Sequence, residues 1–244
     1  RAFLARLQER KPPLGRAAVL RKVAALRSFC RYLREQGQLS RDPFLNVPLP
    51  KAERRLPRFL SGSEVGTLLE QGAPGTRWTD LRDRALLELL FSCGIRRSEA
   101  AGLSVPDVDF MSGTVRVYGK GGRERLVPAG DPALGALRAY LGARPRPQDA
   151  GPAAPLWTNA RGRRLSGDGL ALLVRRAARK AGLLKGLSPH GLRHSFATEL
   201  LDAGCGLREL QEMLGHRNIG TTQVYTHTTL EKLRQVYGKA HPRS

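Results

Sequence analysis

The clearest hydrophobic rhythm in the chain runs from Arg16 to Gly37. Val19, Val23, Leu26, Cys30 and Leu33 recur at alternating intervals of four and three, which predicts a helix with one buried stripe, closed by Gly37. "RDPFLNVPLPKAERRLPRF", ending at Phe59, holds four prolines and little periodicity, and it reads as a linker. Beyond it, "SGSE" (Ser61 to Glu64) is a capping box that opens a helix to about Gln71. Asp80 opens another, with Leu81, Ala85, Leu86, Leu89 and Leu90 on its apolar positions.

The period then changes. "TVRVYGKGGRERLVPAG" (Thr114 to Gly130) alternates about a Gly-Gly centre and predicts a β-hairpin with Lys120 at its turn. "PLWTN" (Pro155 to Asn159) is a candidate third strand, and "RPRPQDAGPAAP" before it reads as a flexible surface loop. Helices follow at Pro132–Leu141, Gly167–Ala181, Pro189–Leu201, Leu207–Leu214 and Leu230–Tyr237, the last capped by Thr228 and Glu231. There are no internal repeats. The pattern describes a mainly α protein with a small β-sheet: residues 1–56 as one helical region and linker, and 57–244 as a larger mixed region.

Charge changes this picture more than composition does. The 244 residues carry 42 Lys+Arg against 21 Asp+Glu, a formal net charge of +21. A globular chain that basic expects a polyanion, with nucleic acid the commonest and a membrane surface the competitor. Residues 1–56 alone hold fourteen Lys+Arg and four acids, a net +10. That density predicts a surface that grips a phosphate backbone, with Arg16, Arg21, Lys22, Arg27 and Arg31 on the first helix as candidate DNA-binding residues. No apolar run approaches eighteen residues and no signal-like segment is present, so spanning and secretion are not expected. Cys30, Cys93 and Cys205 are far apart, without metal or redox spacing, which reads as a reduced cytoplasmic protein. The start at Arg1, without methionine, reads as a fragment or a processed chain.

Several residues could carry chemistry. In "SPHGLRHSFATELL", Ser188 and Pro189 start a helix whose first turns hold His190, Arg193 and His194, beside the apolar stripe Leu192, Phe196 and Leu200. "CGIRRSEAAGL" sets Arg96 between a helix-ending Gly94 and a short helix; "MLGHRN" sets His216 just past a C-cap glycine; "TTQVYTH" contains Tyr225. Singly, each has an ordinary reading: a helix-junction arginine, a turn lysine, a helix-end histidine, a half-buried tyrosine. Together they supply what metal-free phosphodiester transfer needs. Arg96 and Arg193 can hold the two non-bridging oxygens of a phosphate. His190 and His216 can donate or shuttle protons, and Lys120 can protonate a departing sugar hydroxyl. Tyr225 is a candidate nucleophile, provided a cationic pocket favours its phenolate.

"GIRRSE", "GKGGRERLVP", "HGLRH", "LGH" and "TTQVYTH" resemble, in order, the five signature elements of the tyrosine recombinase (phage integrase) family, and the similarity extends from Pro57 to His241. The tail "YTHTTLEKLRQVYGKAHPRS" is similar to that of Xer recombinases, nearer the XerC branch than the phage integrases. The resemblance implies a helical, SAM-like core-binding domain and a mixed α/β catalytic domain of the DNA breaking-rejoining fold. It implies a 3′-phosphotyrosyl intermediate, a 5′-hydroxyl leaving group and no cofactor or metal. The catalytic set it assigns is Arg96, Lys120, His190, Arg193, His216 and Tyr225, with Glu99 as a supporting acid. It further implies chromosome dimer resolution at dif-like sites in double-stranded DNA, in a homo-tetramer or a hetero-tetramer with a second recombinase, with a DNA translocase as a further partner.

Two departures stand out. Arg97 follows Arg96 where apolar residues are common, so Arg96 is chosen by the GxRxSE register. The N-terminal region is also shorter than the family's four-helix domain, so part of the clamp is expected to be absent. Integrases of phages or mobile elements and type IB topoisomerases share this chemistry and stay open as alternatives. A metal-dependent nuclease could claim His190, His194 and His216, although no carboxylate cluster accompanies them. A non-enzymatic DNA-binding protein would explain the charge but not the ordered set. In the tail, Leu230, Leu233, Val236 and Tyr237 make an apolar stripe that can pack back on its own domain, whereas the resemblance implies an exchange helix that docks into a neighbouring subunit.

Overall fold

A computed structural model of the chain describes residues 6, 9, 14–45, 60–70, 77–119, 121–183, 187–215 and 227–242. Two compact units divide it, Arg1–Leu56 and Pro57–Ser244. In the first, helix α1 spans Arg16–Glu35. It ends because Gly37 adopts φ 69°, which lets the Gln38 N–H reach back to the Leu33 carbonyl at 2.9 Å. Val19 and Val23 are buried against Leu14 and Phe44, while Leu26, Cys30 and Leu33 are only half-buried. The apolar stripe is therefore narrower than its period implies. Arg16, Arg21, Lys22, Arg27 and Arg31 are all exposed, with the Arg27 guanidinium 6.0 Å from the Phe44 ring centroid.

The second unit is mainly helical with a small three-stranded antiparallel sheet. Helix α2 (Gly62–Glu70) opens on the expected capping box, the Ser61 N–H donating to Glu64 Oε2 at 2.9 Å. Helix α3 (Trp78–Cys93) starts two residues before Asp80 and is the centre of the unit. Its Leu86, Leu87, Leu89, Leu90, Phe91 and Cys93 are buried all round, as befits a helix packed between α5 (Asp131–Ala143) and α7 (Pro189–Asp202). On α7 the stripe Leu192, Phe196 and Leu200 is wholly buried, each side chain contributing roughly 1.5–3 kcal/mol. Ser188 caps that helix by accepting the Gly191 N–H at 3.2 Å. Helix α4 (Arg97–Gly102), α6 (Gly167–Lys180) and α8 (Leu207–Leu214) complete the layer around the site.

The sheet joins β1 (Val108–Asp109), β2 (Thr114–Tyr118) and β3 (Glu124–Pro128) in that order. The hairpin is as expected, with Val115 opposite Val127 and Val117 opposite Arg125. Its third strand is not Pro155–Asn159. That segment makes single bridges to two different partners, Ser104 with Pro155 and Thr158 with Arg164, so no ladder propagates. Leu156 and Trp157 are instead both buried, which suits a core plug better than a strand that alternates.

Helix α9 spans His227–Ala240, so Thr228 lies inside it rather than at its cap. Leu233, Tyr237 and Ala240 are buried in the chain's own unit, and the Tyr237 hydroxyl pairs with Ser92 Oγ at 2.7 Å. The His241 ring stacks on Tyr237 at 4.6 Å and lies 5.2 Å from Phe91 and 5.7 Å from Phe196. Within the single chain, these contacts cover that part of the stripe. Among the described residues, no helix is long and apolar enough to cross a membrane.

Candidate active site

Two glycines make the site possible. Gly94 ends α3 at φ 56°, and a Cβ there would overlap the Phe196 ring. This close approach of α3 to α7 brings the Gly94 carbonyl to Arg193, whose Nη1 donates to it at 2.7 Å. Gly215 ends α8 at φ 65°, and a Cβ there would sit 3.1 Å from Arg125 Nη1.

Around Gly215 the structure gathers three arginines on one carboxylate. Glu99, at the third position of α4, reaches back to accept the Arg96 backbone N–H at 2.7 Å, the carboxylate half of a capping box. The same carboxylate accepts Arg96 Nη1 at 2.8 Å and a two-bond fork from Arg125 at 3.0 and 2.8 Å; Arg193 Nη1 stands 4.0 Å away. Three cations against one anion leave a local excess of positive charge suited to an incoming anion. Arg96 is the open member, its side chain 42% exposed against 9% for Arg193.

Burial pushes the Glu99 carboxyl up, but Arg125's bonds and charge, then the Arg96 bonds, outweigh it and bring it down to about 2. Burial likewise pulls Arg193 down to about 10, helped by Arg96 and Arg125 and opposed by Glu99; it stays cationic at neutral pH.

The expected residues divide as follows. Arg96 and Arg193 come together on Glu99, and Arg193 Nη2 also holds the Leu214 carbonyl at 2.6 Å. Arg97 does not join them; it reaches Asp168 at 2.8 Å on the surface, a pair contributing at most about 1 kcal/mol. His190 is exposed one turn before Arg193, and His194 is half-buried. Lys120, His216 and Tyr225 lie outside the described residues; in the sequence Lys120 sits between the described Gly119 and Gly121, His216 follows the described Gly215, and Tyr225 comes two residues before the first residue of α9. Tyr237, the other tyrosine of the tail, is buried, and burial drives its phenol well above the ordinary range, which makes it a poor nucleophile.

Sequence reasoning missed Arg125. The available signal was strand alternation, since Arg125 shares the inward face with Val115, Val117 and Val127. An arginine at an inward position of a hairpin requires a buried anion, and Glu99 meets that need.

The sequence model of the phage integrase family matches residues 58–232. Over its whole length the chain is 48% identical to tyrosine recombinase XerC of Pelotomaculum thermopropionicum, 80% of which it covers. Across 99% of its length it is 45% identical to tyrosine recombinase XerD of Mycobacterium tuberculosis, covering 81% of that protein. Among solved structures it is similar to the XerH site-specific recombinase bound to its difH substrate before cleavage, with a TM-score of 0.68, 26% identity, and coverage of 97% of this chain and 66% of that one. With the ordered motifs and the arginine–carboxylate cluster, these likenesses place the chain in the phage integrase family, among the Xer-type tyrosine recombinases that cut and rejoin DNA.

Proposed function

We propose that this protein recombines double-stranded DNA at a dif-like site and so resolves chromosome dimers in the cytoplasm before cell division. Arg96 and Arg193 hold the non-bridging oxygens of the scissile phosphate, and His190 and His216 add donors or move a proton. The Tyr225 phenolate attacks phosphorus to form a 3′-phosphotyrosyl link, and the released 5′-oxygen takes a proton from Lys120. No step calls for a metal or a cofactor. The second unit carries this chemistry. The exposed basic face of α1 in the first unit grips the DNA backbone. The working assembly is a tetramer, made with itself or with a second recombinase, and a DNA translocase controls its timing.

The observation that supports this reading most is the meeting of Arg96 and Arg193 on Glu99, from segments about a hundred residues apart. Glu99 is already forked by Arg125, so its own charge does not call for both further cations, whereas a phosphate with two non-bridging oxygens does. The test is incubation with nicked DNA carrying candidate dif-like sites, in chelator, with adducts scored on denaturing gels. A covalent adduct on dif-like but not scrambled DNA is expected. Activity lost in chelator, or relaxation of supercoils without strand exchange, overturns the reading.

A further inference from the structure

Three consecutive carbonyls at the end of α8 are taken by three different arginines. Arg125 Nε donates to Met213 at 2.8 Å, Arg193 to Leu214 at 2.6 Å and Arg96 to Gly215 at 3.2 Å. Only Arg125 comes from the hairpin. Its remaining nitrogens fork onto both oxygens of Glu99, so one planar guanidinium, 6% exposed, joins β3 to α4 and to α8. Too buried to meet DNA, it acts on what it holds.

The base of the hairpin turn lies beside the same pair: a Cβ added at Gly119 would come within 3.9 Å of Glu99 Oε1 and 4.0 Å of Arg125 Nη1. The Gly119 N–H closes the turn on the Arg123 carbonyl at 2.7 Å. Lys120 is the next residue in the chain.

We propose that Arg125 is a positioning residue that seats the turn bearing Lys120 on Glu99 and on the end of α8, so that the lysine meets the leaving 5′-oxygen while Arg96 and Arg193 hold the phosphate. This rests on the reading of Lys120 as the proton donor. In that step the Tyr225 oxygen bonds to phosphorus and the P–O5′ bond breaks with its electron pair on O5′. O5′ then takes a proton from the Lys120 ammonium, leaving a neutral amine.

The test compares full-length Arg125→Lys, Lys120→Ala and the parent on an ordinary nicked substrate and on one with a bridging 5′-phosphorothiolate. Sulfur leaves without a proton, so this substrate repairs a proton-delivery defect and no other. Arg125→Lys keeps the charge but loses the fork; it should bind DNA normally and cleave the ordinary substrate roughly ten- to a hundredfold slower. On the phosphorothiolate it should recover to within about threefold of the parent. If Lys120→Ala recovers and Arg125→Lys does not, Arg125 serves the phosphate clamp alone and the proposal fails while the reading of Lys120 stands. If Lys120→Ala does not recover, that reading fails and takes the proposal with it. Should Arg125→Lys not fold, Arg125→Gln is measured in the same way; loss of the fold in both makes the arginine purely structural and overturns the proposal.

Discussion

Arg125 and Glu99 form a buried two-bond ion pair, Nη1 to Oε1 at 3.0 Å and Nη2 to Oε2 at 2.8 Å, with side chains only 6% and 2% exposed. It fastens the sheet to the helix that begins at Arg97. Breaking such a pair from one side leaves a buried charge uncompensated, at roughly 3–5 kcal/mol. The chemistry proposed for this protein is assembled on that joint.

The first prediction concerns acid. Glu99 titrates at about 2 when folded, against an ordinary 4.5. A depressed folded value adds stability that is complete above the unfolded value and disappears as pH falls through the folded one. Melting temperature should therefore drop progressively from about pH 5 toward pH 2. Glu99→Gln should melt lower at pH 7 and show a flatter acid dependence. Parallel curves for the two proteins would remove Glu99 as a source of acid sensitivity.

The two arginines of the clamp should separate. Arg193 is buried and holds the carbonyls of Gly94 and Leu214, whereas the Arg96 side chain is half open. Arg193→Ala should lose both stability, by roughly 2–4 kcal/mol, and cleavage. Arg96→Ala should lose cleavage with a smaller change in melting. Denaturant unfolding beside an adduct assay checks this, and equal destabilisation by both changes counts against it.

Tyr225→Phe should abolish the covalent adduct while DNA binding survives, because one hydroxyl is removed and no charge changes. A Phe variant that still forms adducts would falsify the assignment of the nucleophile. Tyr237→Phe, by contrast, should retain adduct formation and lose about 1 kcal/mol with the Ser92 bond.

Affinity should fall steeply with salt, with a log–log slope of about −0.9 per phosphate contacted. Deleting residues 1–56 removes a net +10 and should flatten that slope in a mobility-shift titration. An unchanged slope makes the exposed cations of α1 a merely solvated face.

Truncation after Thr228 should lower the melting temperature sharply. It removes Leu233, Tyr237 and Ala240 from the chain's own core and uncovers Phe91 and Phe196 beneath His241. If the shortened protein melts with the parent, the tail belongs to a neighbour.

The amino-acid sequence determined whatever depends on contacts within a few residues. The capping box at Ser61, the Ser188–Pro189 start, the Gly37 and Gly94 ends and the alternation about the hairpin are short-range effects, legible without the fold. The ordered motifs likewise carried the family and the residues of the proposed site. Tertiary structure alone decided three things. Pro155–Asn159 became a core plug, because Leu156 and Trp157 are both buried. Leu233 and Tyr237 of the last helix pack on their own unit within the single chain, a contact periodicity could not name, since it shows that a face needs cover but not which surface supplies it. And Arg125 joined Glu99, 26 residues away, to the Met213 carbonyl, 88 residues away. A buried charge must find its opposite wherever the fold brings one near, and that pairing has no period along the chain.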